Sequence, residues 1–153
     1  MGDGVVFAGG WDDRAAELRS DEAAIAALAA RADARFLPVW RGKPLIAGEA
    51  RDRLGWLVAD SAVLAHGRDK RLFMGFHGGA PHFAADVSAW EPDGLDRAAL
   101  AMFFDPTEHH HPDLPVDHRF AELRGAMSLL SAADAAMGAT ARALFNWHRT
   151  HRF

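Results

Sequence analysis

The 153 residues carry a net charge of −4, with half of them apolar and a quarter charged, the balance of a globular domain long enough to bury a substantial core. The acidic surplus argues against duplex nucleic acid as a partner, no apolar run approaches the roughly 20 residues that span a bilayer, and "MGDGVVFAGGWDDR" lacks the basic start and apolar centre of a secretory signal. The absence of cysteine removes disulfides, thiol nucleophiles and Cys-based zinc sites, and it fits a reduced, cytoplasmic setting.

In chain order, the first clear element is "SDEAAIAALAARADA" (20–34), which reads as a helix. Ser20 is its N-cap, Asp21 and Glu22 meet the positive end of the dipole, and Ile25 and Leu28 anchor the buried face. Next, "ARFLPVWRGKPLI" (34–46) makes two extended runs around the turn "RGK", with Gly42 at the flexible position. "LGWLVAD" (54–60) is apolar enough for a third, central strand. "KRLFMGFHGGAPHFAADVS" (70–88) is the clearest hairpin, because Gly-Gly permits the positive φ angles that tight turns need.

"DGLDRAALAMFF" (93–104) suggests a short helix, followed by the Pro- and His-rich loop "DPTEHHHPDLPVD" (105–117). The last third is helical. It has a short helix in "HRFAELRGAMSLL" (118–130) and a long one in "SAADAAMGATARALFNWHRTHR" (131–152). Ser131 with Asp134 has the spacing of a capping box, and Met137, Ala141, Leu144, Phe145 and His148 form one stripe. The Arg and His of the tail complement the negative end of the helix dipole, with Trp147 packed inward. Strands come first and helices cluster at the end, so the expected fold is α+β: a mixed, largely antiparallel sheet from N-terminal hairpins, with flanking helices and a long C-terminal helix.

No segment carries a convincing catalytic signature. There is no Gly-x-Ser-x-Gly elbow, His-Glu-x-x-His pair or P-loop, and the glycines of "GFHGGA" suit a turn better than a phosphate cradle. His109, His110 and His111, with Asp105, Glu108 and Asp113 nearby, invite a metal reading. Adjacent side chains splay apart, however, which favours an exposed loop tip over a metal site. Asp12, Asp13 and Arg14 read as a surface salt-bridge cluster. Arg124 stands beside the buried face of Phe120, Leu123 and Met127; it is either a snorkelling side chain or a fork-shaped donor to phosphate or carboxylate.

The block "FAELRGAMSLLSAADAAMGATARALFNWHRTHRF" resembles the stretch that leads into the zinc ribbon of NADH pyrophosphatases, the NAD(H) diphosphatase branch of the Nudix hydrolases. The shared features are a Leu-Arg, an "LL-S-x-x-[DE]-A" helix start, an "A-x-A-L-x-x-W-H" run and a closing "H-R-F". "GGWDDRAAELR", "RFLPVWRGKPLI" and "FMGFHGGAPHFAADVS" match more loosely, in order. The resemblance implies a three-part parent: an N-terminal Nudix-like domain (1–130), whose long helix (131–153) leads toward a zinc ribbon, and then a catalytic Nudix domain.

Such enzymes split the pyrophosphate of NADH or NAD into nicotinamide mononucleotide and AMP with Mg or Mn, carry structural zinc, and are typically homodimers; some remove NAD caps from RNA. This chain has neither the Nudix box nor the zinc-binding cysteines, and Asp12 stands where the family prefers Leu. On this resemblance the chain holds no catalytic residue, metal ligand or cofactor of its own, and the substrate contacts that carry over are Arg124 and, as looser matches, Arg41 and Lys43 of the first hairpin. The alternative expectation is a stand-alone binding or interaction module without hydrolase activity.

Overall fold

The computed structural model describes residues 6–7, 11–12, 22–67, 71–92, 108–126 and 129–150. Their centre is a sheet of eight strands: β1 (Val6–Phe7), β2 (Trp11–Asp12), β3 (Arg35–Trp40), β4 (Lys43–Ala47), β5 (Arg53–Leu54), β6 (Arg71–His77), β7 (Ala80–Asp86) and β8 (Arg119–Phe120). They run in the order β1-β2-β6-β7-β3-β4-β5, with β8 also on β4. Every pairing is antiparallel except β3 with β7. Helix α1 (Glu22–Ala29), the short α2 (Leu123–Ala126) and the long α3 (Ala132–Thr150) complete the fold, with a 3-10 helix at Ala62–Gly67. The architecture is the expected α+β.

Both hairpins form where turn chemistry directs them. In β6–β7, His77 pairs with Ala80, which leaves Gly78 and Gly79 as a two-residue loop with φ of 60° and 82°. Positive φ at both positions matches the right-handed twist of the flanking strands. Met74 is an extra residue between Phe73 and Gly75 and makes a bulge in β6, with Gly75 at φ 126°. The apolar runs of β3, β4, β6 and β7 are buried on both faces, so they show no alternation. Phe83 is the hub of the aromatic core, stacked on Phe36 at 5.1 Å and tilted against Phe73 at 5.3 Å.

Three expectations need correction. "LGWLVAD" is not a central strand: of its residues only Leu54 lies in a strand, the two-residue β5 at the edge of the sheet. Leu57 reaches Phe36 through a single bridge instead. Residues 118–130 are not one helix either. Phe120 exchanges both backbone hydrogen bonds with His109 at 2.8 and 3.0 Å, which holds it extended until α2 begins at Leu123. Nor is the His-rich loop an exposed tip, since His111 is buried and His109 and His110 are half-buried. The helix expected at 93–104, Ser20, Asp13, Arg14, Met127 and the side chains of Trp147 and His148 lie outside the described residues.

Helix α3 shows how a cap doubles as a tertiary clamp. Ser131 Oγ accepts the Asp134 N–H at 3.1 Å, as the capping spacing predicts. The Asp134 carboxylate does not return to Ser131, however; it accepts the N–H of buried Leu54 at 3.1 Å and ties the helix to β5. Met137 and Ala141 then face the core, with Leu144 and Phe145 packed against it. Asp134→Ala removes the partner of a buried N–H and a favourable charge from the helix start, so it is expected to cost about 1–3 kcal/mol. Urea unfolding at unchanged m-value measures this, and a loss near zero would show that the clamp contributes nothing.

Candidate functional site

The β3–β4 turn carries two of the three basic residues singled out from the sequence. Trp40 pairs with Lys43, which makes Arg41–Gly42 the loop, with φ of 48° and 82°. A two-residue turn with positive φ at both positions is built most easily from Asn-Gly or Asp-Gly, and a non-Gly residue there is uncommon. Arg41 is held in this conformation from outside the hairpin. Its N–H donates to Ser88 Oγ at 2.8 Å, and the Ser88 hydroxyl and N–H both donate to Asp86 Oδ1.

The Arg41 side chain is exposed, with its guanidinium carbon 5.4 Å from the Trp40 ring centroid. Trp40 is a fixed platform: it is fully buried, and its indole N–H donates to the Trp90 carbonyl at 2.8 Å. Lys43 is only 2% exposed, whereas Arg124 is exposed on α2 beside buried Leu123. Both Lys43 and Arg124 have partners within the chain.

The helix that carries Arg124 packs on the strand that follows the turn. The Ala121 N–H donates to Pro44, next to Lys43, at 3.3 Å. A further pair closes the neighbourhood: Arg142 of α3 donates to Glu122 at 3.0 Å, and its Nε would lie 3.6 Å from a Cβ placed on Gly42. Sequence reasoning missed Glu122, Arg142, Asp86 and Ser88. Glu122 and Arg142 are twenty residues apart and Arg41 and Ser88 forty-seven, so no local spacing could signal them.

The three consecutive histidines are split among three environments. The His109 ring lies 4.6 Å from Trp40, and His111 lies 4.9 Å from Trp90 and 5.6 Å from His66. His110 Nε2 donates to the carbonyls of Leu114 and Pro115, each at 3.1 Å. Among the described residues, no three His, Asp or Glu side chains are grouped as a metal site requires. A depression of about 300 Å³ opens beyond the other end of β4, between Ile46, Arg51, Glu108, Asp117, Arg119 and Ala121. Arg51 and Glu108 form an ion pair across its wall.

Two hairpins on a mixed sheet, bordered by a long helix, define a domain of α+β class. A family model described as the NADH pyrophosphatase-like rudimentary NUDIX domain matches residues 33–147, and the chain belongs to that family. The match runs from just ahead of β3 into the last turns of α3 and so includes Arg41, Lys43 and Arg124. No curated protein matches the chain. Among the described residues, no helix is long and apolar enough to cross a membrane.

Two buried histidines make stability depend on pH. Burial pushes the pKa of His111 down, as it does that of His82. His111 Nδ1 accepts the Asp113 N–H at 3.1 Å, and His82 Nδ1 donates to Ala80 at 2.8 Å, so each is held as a particular neutral tautomer. Below the ordinary histidine pKa of about 6.5 the unfolded chain binds more protons than the folded one, so stability falls as pH drops. The loss begins as pH falls through that value and levels off once the folded-state groups also protonate. Thermal unfolding at pH 7.5, 6.5 and 5.5 is expected to give a falling Tm, and His111→Gln a shallower fall; equal slopes for the two proteins would exclude His111 as a contributor.

Proposed function

We propose that this domain is the non-catalytic N-terminal part of a Nudix hydrolase that cleaves the pyrophosphate of NADH or NAD into nicotinamide mononucleotide and AMP. In this reading it supports dimerisation and forms an edge of the substrate pocket, and the parent works in the cytoplasm. The observation that carries the proposal is the family match across residues 33–147. Arg41 and Arg124, both exposed, would offer forked donors to phosphate oxygens. Lys43, buried behind the turn, would add its charge from beneath.

Hydrolysis itself is assigned to the rest of the parent. The described residues do not fit a catalytic metal, for they lack a converging group of carboxylates or imidazoles. In this reading Mg or Mn would sit in the catalytic Nudix domain and structural zinc in the ribbon, and no step of the reaction is routed through this chain. The zinc ribbon and the Nudix domain would be its partners.

Two measurements test the proposal. The 153-residue chain, incubated with NADH and Mn, is expected to release AMP only at background rate; robust release would overturn the assignment of catalysis elsewhere. In a protein that joins this domain to its ribbon and Nudix domain, Arg124→Ala is expected to raise KM for NADH about 10-fold or more, the worth of one charge-assisted hydrogen bond. An unchanged KM would remove Arg124 from the pocket edge.

A further inference from the structure

Arg41 occupies a position for which its residue type is poorly suited. The first place of this turn demands a left-handed backbone, taken at φ 48°, and Asn, Asp or Gly would adopt it at less cost. Strain of this kind persists only where the surroundings over-determine it, and it collects at functional sites. The surroundings here are specific. Asp86 takes both the hydroxyl proton and the N–H of Ser88. With its donor committed, the Ser88 oxygen is left to accept, and it accepts the Arg41 N–H at 2.8 Å.

The device ends in the Arg41 cation. Arg41 forms no ion pair within the described residues, and its guanidinium is spread toward the Trp40 ring at 5.4 Å. Arg142, by contrast, is neutralised by Glu122, and Arg31 and Arg51 are paired with Asp33 and Glu108. A planar guanidinium that is exposed, rested on an aromatic platform and set on a fixed backbone is prepared for a planar or tetrahedral oxyanion.

We infer that Ser88 is a positioning residue for Arg41: held by Asp86, it locks the left-handed turn so that the Arg41 guanidinium is presented to a phosphate group, of which a dinucleotide pyrophosphate is the source that fits the family. This rests on the proposed placement of Arg41 at the substrate edge. Ser88 would not touch the ligand; it would lower the ordering cost that Arg41 otherwise meets on binding.

The test uses the full 153-residue chain, isotope-labelled, with NADH and sodium pyrophosphate as separate probes in NMR titrations. Both probes are expected to shift the Arg41 Nε–H resonance, and a response to NADH alone would show recognition of the nucleoside rather than the phosphate, overturning the inferred ligand chemistry. Ser88→Ala is expected to move the Arg41 and Gly42 backbone shifts away from left-handed values and to weaken binding about fivefold, as loss of one neutral hydrogen bond implies. Ser88→Thr, which keeps the hydroxyl, is expected to restore both. Asp86→Asn, which keeps the shape but weakens the acceptor, provides a second reading if Ser88→Ala fails to fold.

A Ser88→Ala chain that loses the turn but binds as tightly as before makes Ser88 merely structural and sinks the inference, while leaving Arg41 at the substrate edge. Unaltered turn shifts in both variants sink it as well. If neither probe shifts Arg41 in the unaltered chain, the placement of Arg41 itself is overturned, and Ser88 has nothing to position.

Discussion

The parallel pairing of β3 with β7 is the seam on which the rest of this domain depends. Each hairpin can form alone from its own turn, but a single two-stranded hairpin is marginally stable in water. Five consecutive residue pairs, from Arg35 with His82 to Val39 with Asp86, join the two into one sheet. Phe36 stacks on Phe83 directly across that seam, so the ladder and the aromatic core are one structure. Because β3 is then covered on both edges and both faces, its other neighbour, β4, becomes the platform for β5, β8, α2 and α3.

The same seam places the basic turn. Asp86 is the last β7 residue in the parallel register, opposite Val39. Ser88 therefore arrives beside Arg41 because the two strands run the same way and end together. The Val87 N–H donates to the Val39 carbonyl at 2.9 Å and continues the register one step further. A register slip of one residue would exchange the faces of β7 and remove Ser88 from the turn. The turn geometry, the Trp40 platform and the position of the Arg41 charge are in this sense consequences of strand pairing between segments far apart in the chain.

The His-rich loop shows how far context can override local reading. Composition alone describes "EHHHPD" as a solvated segment, and the three rings are indeed too divergent for one ion. Yet His109 bridges Phe120 and lies against Trp40, and His111 lies against Trp90. Imidazole is apolar enough on its faces to pack on indole. The loop therefore forms part of the wall behind Trp40 and links the platform under Arg41 to the edge strand β8.

The features legible in the sequence were those set by neighbours within a few residues. Gly-Gly and Arg-Gly turns, the helix start at Ser131, the apolar runs and the stripe through Met137 and Ala141 all depend on local φ preferences and on the period of one element. The resemblance of the block from Phe120 onward likewise lay in the order of its residues, and the family match over 33–147 agrees with it. Tertiary structure alone decided the rest: that Leu54 ends at a sheet edge and borrows Asp134, that Phe120 is extended rather than helical, and that Ser88 and Asp86 hold Arg41. In each case a backbone N–H or C=O takes a partner eleven or more residues away once burial has removed water as the alternative. Local pattern cannot name that partner, because it is chosen by which strands lie side by side.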